Sequence, residues 1–148
     1  MTTTPATQGH GASFPITGGC NCGAVRFEVS APFAGASYCH CTRCQRRTGT
    51  AAAANARTAP GTFRILQGEE HLRAWHPDTG MDKYFCGECG SALFSAPGTD
   101  FEQVGVRFGA LDADPGIRPT HRQYVNYAAS WEPIPDDGLP RYPEATPR

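Results

Sequence analysis

A small, mainly β domain of short strands is the fold class this sequence predicts, and three observations carry the prediction. Seventeen glycines and thirteen prolines cut the 148-residue chain into short pieces, a punctuation that suits brief strands joined by turns. Apolar and polar residues alternate with a period of two, most clearly over residues 25–29 and 63–66. Seven cysteines gather in three tight clusters, so bound metal can stabilise a chain whose apolar content is thin.

Taken in order, residues 1–15 are rich in Thr, Gly and Ala and read as a flexible leader. They lack the basic and apolar regions of a secretory signal. Cys20-Asn21-Cys22 reads as an extended segment, in which residues i and i+2 present both sulfurs to one side. A strand over 25–29 follows. Residues 42–48 and 51–54 hint at helix, but for the alanine run Gly49 before it and Pro60 after it leave little room for a stable one. A short turn after Cys44 and a strand through the alanines are expected instead. Further strands are expected over 72–75, 84–85, 92–95, 104–108 and 123–127. The domain proper spans 16–135, and residues 136–148 form an extended Pro-rich tail.

Composition excludes several classes of function. A net charge of −1 argues against a nucleic-acid module, which carries a basic face. No run of apolar residues is long enough for a membrane-spanning helix. Leu, Ile, Val and Phe number five, four, five and eight, a low share that signals disorder only when joined to high net charge. Closely spaced cysteines in a reducing cytoplasm are metal-binding or catalytic rather than disulfide-bonded, and an odd number leaves one thiol unpaired in any disulfide scheme.

The cysteines divide as four plus three. Cys20 and Cys22 form one short pair. Cys86-Gly87-Glu88-Cys89-Gly90 resembles a zinc knuckle, with Gly90 free to take a positive φ. Neither pair satisfies zinc alone, so Cys20, Cys22, Cys86 and Cys89 are expected to share one closed structural site. A CxxC redox pair at Cys86 and Cys89 is the competing reading, and it lacks the βαβ context such pairs occupy. Cys39, Cys41 and Cys44 lie within six residues and leave a fourth zinc position open for substrate, as catalytic sites do. His40 could supply a fourth ligand, but it sits between i and i+2 ligands and points away in an extended backbone, so packing or ligand orientation is the expected role. His10, His71, His76 and His121 show no ligand spacing.

With these cysteines in place, the chain resembles the glutathione-dependent formaldehyde-activating (Gfa)/centromere protein V family from about Ile16 to Pro143. The resemblance runs through Thr17-Gly18-Gly19-Cys20-Asn21-Cys22-Gly23, Cys39-His40-Cys41-Thr42-Arg43-Cys44 and Tyr84-Phe85-Cys86-Gly87-Glu88-Cys89-Gly90, then Gly109-Ala110-Leu111-Asp112. All seven family cysteines are present. The segment His121-Arg122-Gln123-Tyr124-Val125-Asn126-Tyr127 departs from the usual family pattern, which bears on substrate rather than on fold.

The resemblance implies an Mss4-like β-tent, a structural zinc on Cys20, Cys22, Cys86 and Cys89, and a catalytic zinc on Cys39, Cys41 and Cys44. It also implies a carbon–sulfur lyase that joins glutathione to formaldehyde. A trithiolate zinc carries a net charge of −1 and acidifies water weakly, so an incoming thiol suits its open position better. Arg43, Arg46 and Arg47 beside the triplet are candidates to clamp the two carboxylates of glutathione; solvated surface arginines are the plainer reading. Two other functions stay open: an enzyme acting on a different thiol adduct, and a non-enzymatic zinc module for interaction. The expected partners are a small thiol and an aldehyde, with no nucleic acid, no membrane and a possible homo-oligomer.

Overall fold

The structure, a computed structural model, describes residues 11–147. The predicted leader falls largely on residues 1–10, which, with His10, lie outside the described residues. Among the described residues, ten strands and one α-helix make up a mainly β molecule, in agreement with the fold class read from the sequence. β1 (Ile16–Gly19), β2 (Arg26–Val29) and β5 (Phe63–Gln67) form a three-stranded antiparallel sheet in the order β1-β2-β5.

The larger sheet has seven strands. It contains β3 (Gly35–Cys39), β4 (Ala53–Arg57), β6 (Leu72–Trp75), β7 (Asp82–Cys86), β8 (Ala92–Ala96), β9 (Gly105–Arg107) and β10 (Arg122–Gln123), in the order β10-β3-β4-β9-β8-β7-β6. Only the β10–β3 pair is parallel. Two strands, β1 of the small sheet and β3 of the large one, carry sequences (ITGG and GASYC) without a clear alternating signal, and the sequence reading does not predict them.

The cross-strand register divides the large sheet into two unlike faces. Ala36 opposes Ala56, Ala56 opposes Val106, Val106 opposes Phe94, and Phe94 opposes Tyr84. This row faces Phe27, Val29 and Phe63 of the small sheet and makes the core. Phe63 sits 4.8 Å from Phe94, and Tyr84 stacks on Phe94 at 4.9 Å. Because side chains alternate along a strand, the next row must point the other way. That outer row holds Ser37, Asn55 and Arg107, beside Arg57, Gly105, Ser95 and Lys83. Sequence periodicity therefore sets aside one face for burial and one for polar chemistry.

Two expectations are corrected. Residues 42–48 form a true helix, α1 (Thr42–Thr48), rather than a short turn. The Cys41 thiol caps it by accepting from the Cys44 N–H at 3.3 Å, and Arg47 and Arg43 stack over Phe85 and Trp75 at 5.2 and 5.7 Å. Tertiary contacts thus rescue a helix too short to persist alone. The strand expected over 123–127 stops at Gln123 and gives way to a 3-10 turn, Val125–Tyr127. Tyr124 interrupts it with a φ of 58°, in the left-handed region.

Residues 136–147 run along the edge of β10. Tyr142 donates its N–H to the Arg122 carbonyl, Arg122 donates to Pro140, and Tyr124 donates to Glu144. No helix among the described residues is long and apolar enough to cross a membrane.

Candidate active site and metal centres

Each cysteine cluster is assembled by local turns. Cys20, Asn21 and Cys22 lie in a turn closed by the Gly23 N–H on the Cys20 carbonyl at 3.2 Å, not in the extended segment expected from sequence. The turn still brings the Cys20 and Cys22 sulfurs to 3.6 Å. At the β7–β8 hairpin the Gly90 N–H closes on the Cys86 carbonyl at 2.8 Å, and Gly90 has a φ of 80° as a knuckle requires. The four sulfurs of Cys20, Cys22, Cys86 and Cys89 all lie within 4.8 Å of one another.

The donor set fits zinc. Among the described residues four thiols converge with no histidine or carboxylate in the group, and two pairs of sulfurs stand 3.6 and 3.8 Å apart. A disulfide needs about 2.05 Å, whereas the edge of a tetrahedron with Zn–S bonds of about 2.3 Å is roughly 3.8 Å. Backbone N–H groups of Val25 and Glu88 donate to the Cys20 and Cys86 sulfurs at 3.3 Å each, an arrangement that favours thiolates. The Ser91 hydroxyl beside Cys89 holds that thiol down to about 5.

Cys39, Cys41 and Cys44 form a second cluster, again within 4.8 Å. Cys39 ends β3, Cys41 caps α1 and Cys44 is the one buried residue of the helix. Hydrogen bonds from Cys39 and then Cys44 pull the Cys41 thiol far below the ordinary range. The same sharing with Cys41 and Cys44, followed by burial, pushes Cys39 up.

His40 is not part of the trio. It is buried, and its Nε2 lies 3.2 Å from Arg122 Nη1. Arg122 in turn stacks 4.3 Å over Tyr38 and donates to Asp137 at 2.7 Å. His71 sits against Glu88, His76 against Asp82 and His121 against Thr146, and none of the four joins a thiol cluster.

The trio opens into a groove of about 1250 Å³ on the outer sheet face. Tyr124 packs against the cluster of Cys39, Cys44 and Ala53, and Asn55, Lys83, Ser95 and Arg107 are among the groove's lining residues. Of the three arginines expected to clamp a thiol cosubstrate, Arg43 lines this groove. It is tied to the Thr79 carbonyl at 2.5 Å. Arg43 also borders a second pocket of about 550 Å³, which Arg46, Arg47 and Trp75 line but which the groove's thiols do not. Burial, and then the neighbouring Arg107 guanidinium, lower the Arg47 pKa from its ordinary value. Lys83, Arg107 and Asn55 escaped the sequence reading, because only cross-strand register brings them beside the cysteines.

Fold and site together define a mainly β domain whose two thiol clusters are compatible with zinc. A family model described as glutathione-dependent formaldehyde-activating enzyme matches residues 15–127. The chain belongs to that family. A Halomonas elongata relative, named provisionally as a glutathione-dependent formaldehyde-activating enzyme, is 29% identical over 105 residues, covering 67% of each protein. A Rhodobacter sphaeroides protein of known crystal structure is 27% identical, with a TM-score of 0.53 over 85% of this chain and 98% of its own.

Proposed function

We propose that this protein catalyses reversible addition of a thiol, with glutathione as the leading cosubstrate, to formaldehyde or a related small carbonyl compound, as a carbon–sulfur lyase. The single observation that carries the reading is a trio of thiols lining an open groove, separate from a quartet that could close a site of its own. Cys20, Cys22, Cys86 and Cys89 would hold a structural zinc, and Cys39, Cys41 and Cys44 a catalytic one. Zinc on the trio would favour the thiolate form of an arriving thiol while leaving its sulfur nucleophilic.

The chain's own residues supply position and field. Tyr124, packed against the cluster of Cys39, Cys44 and Ala53, would limit the access of water to the site. Arg43, fixed by Thr79 at the groove wall, offers a guanidinium to a cosubstrate carboxylate. Arg46 and Arg47 would extend that basic surface along α1. Holding thiol and carbonyl in one groove supplies proximity, a large part of the acceleration available to an addition. In the reaction the sulfur bonds to the carbonyl carbon, the π pair moves to oxygen, and the thiol proton ends there. Nothing is oxidised or reduced. The cytoplasm, where glutathione is kept reduced, is the setting this chemistry needs, and residues 16–135 would form the working domain.

Exchange NMR on the zinc-loaded protein with glutathione and formaldehyde tests the proposal. Adduct formation should run at least tenfold above the uncatalysed rate. A rate no faster than that in buffer, across a panel of thiols and carbonyls, would sink it.

A further inference from the structure

The outer face of the large sheet carries more buried positive charge than its thiols can match. Arg107 is only 7% exposed. One of its amino groups donates to Asn55 Oδ1, while its Nε and Nη2 find no partner among the described residues. The Nε of Arg47 is likewise unpaired. Lys83, the only lysine in the chain, stands half-buried on the same face. No ion pair among the described residues uses Arg47, Lys83 or Arg107. The acidic residues lining the groove, Asp100 and Glu102, are exposed, and Asp100 spends an oxygen on the Glu102 N–H.

Three thiolates and a zinc dication would sum to −1, against three neighbouring cations. Buried charge without a counter-ion is costly unless something pairs with it. Formaldehyde is neutral and gives these cations nothing to hold. The register also leaves room for a guest. Gly105 lies in the row between Arg57 and Ser95, with Lys83 next to Ser95. A Cβ added to Gly105 would meet nothing within 4 Å.

We propose that Arg107 and Lys83, around the notch at Gly105, form a receptor for a carboxylate carried within a few bonds of the reacting centre. The substrate class is then a small carboxylated carbonyl compound or its thiol adduct. This rests on the thiol–carbonyl reading and sharpens it. Arginine offers a carboxylate two parallel N–H groups, and the half-buried lysine adds a point charge.

Calorimetric titration of the zinc-loaded protein with glyoxylate and with uncharged glycolaldehyde tests the receptor directly, without turnover. Glyoxylate should bind at least tenfold tighter than glycolaldehyde, and Arg107→Met should erase most of that preference. Gly105→Leu fills the notch without removing charge and should weaken glyoxylate tenfold as well, which keeps the test decisive if Arg107→Met fails to fold. A parallel titration with glutathione and its diethyl ester identifies the source. Ester-sensitive binding lost in the variants, with no glyoxylate preference, assigns the receptor to the thiol's own carboxylate. Equal binding of charged and neutral probes in both arms, or variants that bind like the parent, overturns the proposal. Carboxylate-selective binding without any adduct formation would defeat the thiol–carbonyl reading and leave the receptor standing; adduct formation without selectivity does the reverse.

Discussion

The sulfurs of Cys22 and Cys86 lie 3.8 Å apart although 64 residues separate them. Cys22 belongs to the turn between strands of the small sheet, and Cys86 ends a strand of the large one. The quartet therefore ties the two sheets together at one end of a core with few large aliphatic residues. Zinc on four such thiolates contributes on the order of 10 kcal/mol to folding, comparable with the whole stability of a domain, about 5–15 kcal/mol. Cys86→Ser, or a strong chelator at neutral pH, is expected to abolish the cooperative melting transition in calorimetry. An unchanged transition in the chelated protein would refute the structural role.

The trio should respond differently. Cys41 caps α1 through its sulfur, and serine is a good substitute in that role because its oxygen accepts from the same N–H. Cys41→Ser is therefore expected to keep the helix and the melting transition. Bound zinc should drop from two ions per chain to one, and adduct formation should fall by about two orders of magnitude. Elemental analysis and circular dichroism on one preparation check both halves. Loss of the whole fold in Cys41→Ser would show that the trio, too, is structural.

The contrast between the two clusters explains how much was legible in the sequence. Ligand spacing is local, so the division into four and three could be read from Cys20, Cys22, Cys39, Cys41, Cys44, Cys86 and Cys89 alone. Strands such as Phe63–Gln67 and Leu72–Trp75 announced themselves by alternation or β-rich composition. α1 did not, since its survival depends on a thiol cap and on Arg43 and Arg47 stacking on residues more than thirty positions away. β3 did not either, because Gly35 and Ala36 carry little β signal without their partners Arg57 and Ala56. Arg107 and Lys83 join the site only through the registers of β4, β9, β8 and β7, which no local pattern encodes.

Asp137 accepts from Arg122 at 2.7 Å and from the Leu139 N–H at 3.1 Å. The Arg122 guanidinium, then that N–H, hold its carboxyl below the usual carboxylate range. A depressed carboxyl stabilises the folded state above its unfolded value, about 3.9, and the contribution fades as pH falls through that region and below. Residues 137–146 should thus loosen from β10 in acid but not between pH 6 and 8. Asp137→Asn mimics the protonated form at neutral pH. Hydrogen exchange should then quicken several-fold at the amides of Tyr124 and Tyr142, which bond across this junction, while Phe94 and Val106 stay protected. Uniform protection in the variant would mean that the ion pair does not hold the segment.

Gly68 offers a sharper test of how the quartet is supported. Its φ is 79°, and a Cβ there would stand 1.8 Å from the Ala24 carbonyl oxygen, 2.7 Å from the Ala24 carbonyl carbon and 3.0 Å from Val25 Cα. All three are backbone atoms, so no rotamer change can relieve the clash. Val25 is the residue whose N–H steadies the Cys20 sulfur and whose carbonyl accepts the Cys20 N–H. Displacing it disturbs the metal turn as well as β2. Gly90 has nearly the same φ, 80°, yet its added Cβ would meet nothing within 4 Å. Gly90→Ala should therefore cost only the left-handed penalty, about 1–2 kcal/mol, whereas Gly68→Ala should add an overpacking cost of about 1–3 kcal/mol. Denaturant melts of the two variants measure the difference. Equal losses would show that strain in φ, and not the contact with Ala24, is what confines residue 68 to glycine.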